Sequence, residues 1–148
     1  SFQDGLRMLK NIDPLLRGEV LKALDELGHG EELALVDQNF PSYGVGAPVI
    51  DLGEVDTKRA SEAIFSVFPL DIFGSTPILR MGIDDQPGTT NDTHDQVRDI
   101  ANESMSKDWS WEEIERQEFY SRVKRVRLVI RCLESAPFAC FIFRKGVL

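Results

Sequence analysis

Apolar residues recur at helical spacing early in the chain. Leu15, Leu16, Val20, Leu24 and Leu27 fall on one stripe, which predicts an amphipathic helix. Asp13-Pro14 is expected to open that helix, with Asp as N-cap and Pro at the first helical position, where a missing N–H does no harm. Gly28 is expected to end it by taking the left-handed conformation. The pattern then turns from periodic to continuous. Leu33 to Val36 is an unbroken apolar run, as in a strand buried on both faces, and Asp37 emerges where the run stops.

The same reading continues down the chain. Phe40 to Gly46 is a loop rich in breakers. Residues 48–52 suit a short strand. Asp56 or Thr57 caps a second helix carrying Ala60, Ala63, Ile64, Val67 and Phe68, and Pro69 marks its end. Residues 77–81 suit another strand, and 84–92 a polar loop. Residues 93–106 predict a polar helix with Val97, Ile100, Ala101 and Met105 on one face. Trp109 and Trp111 lie in a short linker, as sugar-stacking groups or as a buried aromatic lid. The segment 112–135 is ambiguous. Its length predicts a helix over Tyr120 to Glu134, whereas its valines lean toward strand. Residues 138–143 form a last continuous apolar run, hence a buried strand. Strands alternating with helices predict a three-layer α/β domain around a mainly parallel sheet, spanning 8–148, with residues 1–7 a poorly ordered leader.

Composition narrows the partners. The 148 residues carry a net charge of −8 with 42% hydrophobic and 28% charged residues, an ordinary globular balance. The acidity argues against nucleic acid or an anionic membrane. No apolar run approaches the roughly 20 residues of a membrane span. The only cysteines are Cys132 and Cys140, without metal-type spacing, so reduced thiols in the cytoplasm are expected. The carboxylates at 84–85 suggest a metal loop, but their spacing fits no calcium pattern, and a solvated acidic loop is the simpler reading.

The chemistry concentrates at Gly28-His29-Gly30 and Asp37. A histidine between two glycines stands on an open turn, and imidazole exchanges protons near neutral pH. Ligands in open α/β sheets sit beyond the carboxyl ends of strands. The reading therefore lets one imidazole and one carboxylate share a small polar site. The plain alternatives are a turn histidine and a loop-capping aspartate. His94, at the start of a polar helix, reads as a solvated or capping residue. The cations between 122 and 131 read as a solvated or subunit-contacting helix face.

Met8 to Leu16, Leu27 to Glu32, Asp37-Gln38-Asn39-Phe40-Pro41 and Arg144-Lys145-Gly146-Val147-Leu148 together resemble the sugar mutarotases that include D-ribose pyranase and L-fucose mutarotase. The resemblance covers 8–148 and is weak from about 80 to 112. It implies an α/β fold assembled in rings, pentamers stacked as decamers, with active sites between subunits, and interconversion of sugar anomers without a cofactor. It implies that His29 is the acid/base group and that Asp37 binds sugar. Arg116 with Phe119-Tyr120 resembles the fucose branch, which makes Arg116 and Tyr120 sugar-binding candidates. The family's Tyr-Gly-Asn or Tyr-Ala-Asn on the last strand is here Phe138-Ala139-Cys140, so Phe138 and Cys140 would line the wall without a phenol or a carboxamide. Gln38 stands where the family has a small alanine. The expected function is a fucose-type mutarotase acting on a monosaccharide. Its rivals are a non-catalytic sugar-binding ring protein and a sugar-phosphate isomerase, for which Arg116 alone is a thin anion site.

Overall fold

A computed structural model of the chain describes residues 9–73, 76–105 and 108–148. The leader assigned to residues 1–7 lies outside the described residues. Among the described residues four helices, α1 (Gly18–Glu26), α2 (Thr57–Phe65), α3 (Asp92–Ser104) and α4 (Arg116–Arg122), accompany six strands. The strands are β1 (Glu32–Val36), β2 (Val49–Asp51), β3 (Ile78–Met81), β4 (Glu112–Ile114), β5 (Leu128–Arg131) and β6 (Phe141–Arg144). They form one sheet in the order β2-β5-β1-β6-β3-β4. The pairs β2–β5, β5–β1 and β3–β4 are parallel, and β6 runs antiparallel to both of its neighbours, β1 and β3. The sheet is thus mainly parallel, with one reversed strand near its centre.

Alternation along the strands makes two cores. Leu33, Leu35, Ile130, Phe141 and Phe143 pack with Val20, Leu24, Ile64 and Val97 of α1–α3. Ala34, Val36, Val129 and Ile142 face the other way and pack with Phe119, Val123 and Phe40. The result is the expected three-layer α/β domain. Among the described residues no helix is long and apolar enough to cross a membrane.

Three expectations need correction. First, α1 starts at Gly18, not beside Pro14. Asp13 instead closes a turn, accepting from the Leu15 N–H at 2.9 Å, and takes the Arg59 guanidinium on both oxygens at 2.8 and 2.6 Å. Second, Gly28 is not the left-handed stop, since α1 ends at Glu26 with Leu27 extended and the positive φ of +84° falls on Gly30. The helix end is closed from a distance: the Lys145 ammonium donates to the carbonyls of Leu24, Asp25 and Leu27. Third, the helix expected over 120–134 stops at Arg122, and a short turn leads into β5. The β-branched Val129 and Ile130 extend between β1 and β2, so tertiary pairing overrides length. Arg122, Arg127 and Arg131 face Glu32, Glu31 and Asp51 instead of forming a solvated helical stripe.

Gly146 lies where the tail after β6 crosses the Leu70–Asp71 backbone. A Cβ there would come within 2.6 Å of the Leu70 carbonyl oxygen. Gly146→Ala is expected to lower stability by about 1–3 kcal/mol, the usual cost of overpacking. Urea unfolding measures it, and an unchanged midpoint would show that the tail yields freely.

Candidate functional site

The predicted site residues fall into two groups at opposite ends of β1. His29 precedes the strand and Asp37 follows it. Roughly 13 Å of strand, at about 3.3 Å per residue, separates the two ends. One chain therefore does not bring this imidazole and this carboxylate onto one small ligand, which corrects the expectation of a shared polar site within the chain.

The carboxyl end of β1 gathers most of the others. Asp37 is buried, and its Oδ1 accepts from the N–H groups of Asn39 and Phe40, both at 3.0 Å. The Cys140 thiol donates to its Oδ2 at 3.5 Å. Burial raises the Asp37 pKa above the usual carboxyl value, opposed by those backbone and thiol donors. Burial also pushes the Cys140 thiol well up, helped by the adjacent Asp37 charge, so Cys140 serves as a protonated donor and not as a nucleophile.

Phe138 leads into β6 with a φ of +59°. That conformation is strained for a bulky side chain and is held by its surroundings. The Tyr120 and Phe40 rings lie 5.7 Å apart. Arg116 sits 5.8 Å above the Tyr120 ring and pairs through Nε with Asp84 at 3.1 Å. Beside Arg116 a cleft of about 460 Å³ opens, lined among others by Asp84, Asp85, Pro87, Glu113 and Glu115. Among the described residues no group of three His, Cys, Asp or Glu side chains could hold a metal ion.

The amino end of β1 holds the other half. The Gly30 N–H donates to the Lys145 carbonyl at 2.8 Å, which presents His29 on the rim with its side chain 53% exposed. Its Nε2 lies 3.5 Å from Oδ1 of Asp71, whose side chain is only 7% exposed. Asp71 is pinned in turn by the Phe73 N–H at 3.1 Å. The imidazole is thus reachable from solvent and backed by a buried carboxylate.

A model of the RbsD / FucU transport protein family matches residues 10–148. The chain belongs to that family. The L-fucose mutarotase of Actinobacillus pleuropneumoniae serotype 5b (strain L20) is 34% identical over 145 residues, covering 95% of this chain and 97% of its own. The fucose mutarotase of Streptococcus pneumoniae, solved in complex with L-fucose, matches with a TM-score of 0.86 at 26% identity, over 95% of this chain and 99% of its own. FucU of Bifidobacterium longum matches with a TM-score of 0.85 at 31% identity, over 94% of this chain and 99% of its own.

One group in this family member, Asp71, escaped the sequence reading, and a second, His94, was read right as a cap but wrong in its depth. Asp71 carried a faint signal, an acid inside the apolar stretch Phe68-Pro69-Leu70-Asp71-Ile72-Phe73. His94 is not solvated: it is fully buried, while it does cap α3 together with Asn91. Trp109 and Trp111 pack edge to face on each other at 6.3 Å, and Trp111 lies under the Arg98 and Arg80 guanidiniums.

The raised Asp37 pKa has a definite sign. The unfolded chain loses this proton near 3.8, the ordinary aspartate value, before the folded chain does. Stability at this site therefore falls as pH rises from there to the raised value and then levels, with a limiting slope of about 1.4 kcal/mol per pH unit. Asp37→Asn keeps an acceptor for Asn39 and Phe40 but cannot ionise. Urea unfolding across acidic pH is expected to show the variant gaining on wild type as pH rises, and a constant difference would refute the burial argument.

Proposed function

We propose that the protein is a sugar mutarotase acting on a monosaccharide such as L-fucose, with His29 as the acid/base group. Mutarotation opens a ring hemiacetal and closes it on the other face. It needs a proton delivered to the ring oxygen and another removed from the anomeric hydroxyl. One exchangeable imidazole serves both transfers, and positioned proton transfer contributes about 10²–10⁴-fold in rate. Asp71, facing Nε2, orients the ring and leaves Nδ1 toward the sugar. Asp37 and Arg116 hold hydroxyls, Tyr120 presents its ring and hydroxyl, and Phe138 with Cys140 forms the wall. The relatives named as L-fucose mutarotases, at 34% identity over nearly the whole chain, support the reaction class.

The observation that carries the arrangement is the split itself. A rim imidazole with a buried carboxylate stands at one end of β1, and the Asp37 cluster stands at the other. An exposed aromatic flanks each half: Phe73, 57% exposed, near His29, and Tyr43, 71% exposed, beyond Asp37. Surfaces of this kind suit contact between copies of the chain. We take the working form to be the ring, a pentamer stacked as a decamer, with each site completed by a neighbour. The two free thiols fit a reducing, cytoplasmic setting.

A second reading, a sugar-binding protein without turnover, is favoured by one observation. The Cys140 proton is directed at Asp37, so Phe138 and Cys140 offer a sugar little beyond apolar surface. Where a site lacks the polar partner of a substrate hydroxyl, discrimination falls.

Saturation-transfer NMR on L-fucose separates these readings. Wild type is expected to accelerate anomer exchange and His29→Ala to lose about 10²–10⁴-fold, whereas binding without acceleration selects the second reading. Mixing subunits tests the split. Co-expressed His29→Ala and Arg116→Ala chains, each inactive alone, should recover about a quarter of wild-type activity, because a random neighbour pair carries both intact halves in one case out of four. No recovery would return the site to a single chain.

A further inference from the structure

Behind the Phe138–Cys140 wall stands a polar assembly that the proposed chemistry does not use. Its centre is His94, fully buried at the start of α3. The Phe138 carbonyl lies 2.8 Å from its Nε2, and the Asn91 N–H donates to its Nδ1 at 3.2 Å. A carbonyl only accepts and a backbone N–H only donates, so the two contacts fix one tautomer, neutral with the proton on Nε2. A second strut runs beside it: Asn91 Nδ2 donates to the Pro137 carbonyl at 3.0 Å. Asn91 in turn accepts from the His94 N–H at 2.9 Å. Two side chains of one helix start thereby grip two successive carbonyls, the second belonging to the residue with a φ of +59°.

We propose that His94 is a positioning residue that, as neutral imidazole, holds the Phe138–Cys140 wall against Asp37 and releases it when protonated. The proposal rests on the reading of that wall as part of the sugar site. The physical reason lies at Nδ1. A second proton there would point N–H at N–H across the Asn91 contact, and the Arg80 Nη1 stands 3.5 Å from the same atom. The charges facing His94 are Arg80 from β3, Glu113 from β4 and Asp95 from its own helix. Arg80 already spends one nitrogen on Glu113 at 2.5 Å, and the Gly88 N–H donates to Glu113 at 3.0 Å. Phe141 and Trp111 supply the remaining, apolar contacts, edge-on to the imidazole. Burial and Arg80 disfavour the cation, while the Phe138 carbonyl and the two carboxylates oppose them, and the balance lowers the pKa. The wall is therefore held at neutral pH, and its opening becomes easier as pH falls below the ordinary imidazole range, because the released imidazole takes up a proton that the closed one disfavours.

Hydrogen exchange of the amides of 138–141, corrected for intrinsic rates and referred to those of β1, reads the wall directly in the full-length protein. In wild type the protection is expected to fall about tenfold between pH 7.5 and 5.5, as one proton is taken up. His94→Gln can still donate to the Phe138 carbonyl but does not titrate, so it should keep the protection and flatten the profile. His94→Leu should lose protection at both values. Asn91→Ala removes the Pro137 strut together with the side-chain cap on the His94 N–H but leaves the imidazole and its Phe138 contact, and should lower protection at neutral pH while keeping the acid step. In parallel, anomer exchange of L-fucose should show His94→Leu and Asn91→Ala raising KM about tenfold with kcat within about twofold, the pattern of lost uniform binding. Wild-type protection that is flat with pH, or a His94→Leu protein with wild-type protection, overturns the proposal. If wild type does not turn L-fucose over, the mutarotase reading fails by itself and the exchange data still decide the role of His94.

Discussion

The antiparallel pairing of β6 with β1 sets the positions of both candidate half-sites. Its register places Glu32 opposite Arg144 and Leu35 opposite Phe141. Followed one way, the two strands deliver Asp37 beside Cys140. Followed the other way, they deliver Gly30 beside Lys145, with His29 on the rim. Because side chains alternate, a slip of one residue would turn Phe141 and Phe143 out of the core they share with Leu33 and Leu35. Two phenylalanines on a central strand therefore fix the register to the ångström, and the polar groups at the strand ends inherit that precision.

Charge reinforces the same pairing. Glu32 is buried, and it takes Arg122 on both oxygens at 2.7 and 2.9 Å and Arg144 at 3.3 Å. Removing either arginine would leave a carboxylate short of partners in a poorly solvated place, which costs more than the pair contributes. The triad joins β1, β6 and α4 and leaves the strand ends to other groups. On the far side of the sheet Arg80, Glu113 and the Gly88 amide tie β3, β4 and the polar loop together in a comparable way. The acidic loop that invited a metal reading thus has a structural partner of its own.

Much of this was legible in the sequence. The continuous runs at 33–36 and 138–143 marked two central strands, and the Leu16–Leu27 stripe marked α1 correctly in face though not in its first turn. Around Asp37 a short turn brings Phe40 back to the strand end, and Tyr120 and Cys140 reach it from distant elements through ring packing and a thiol hydrogen bond. What was not legible came from distant partners. The cationic stretch near 127 is strand because β1 and β2 pair with it, and no local period records that. Asp71 reaches His29 from 42 positions away. The depth of His94 depends on Phe141 closing over it. A single strand also hides a simple length: His29 and Asp37, eight positions apart, read as neighbours in sequence and stand at opposite ends of β1 in space.

The closure of α1 by Lys145 reaches further than local stability. The helix has no basic residue in its last turn, and its final carbonyls are met by a side chain 121 positions downstream. Among the described residues β1, the strand that follows, pairs with β5 and β6, both made after it. Nascent chain leaving the ribosome thus carries an unpaired apolar strand until the fifth strand has been made, and an unfinished helix until Lys145 follows the sixth. Closing loops of that span is slow compared with local turns, and exposed strand edges invite the wrong neighbours in the meantime. The architecture places its vulnerability in the interval of synthesis, not in the finished fold.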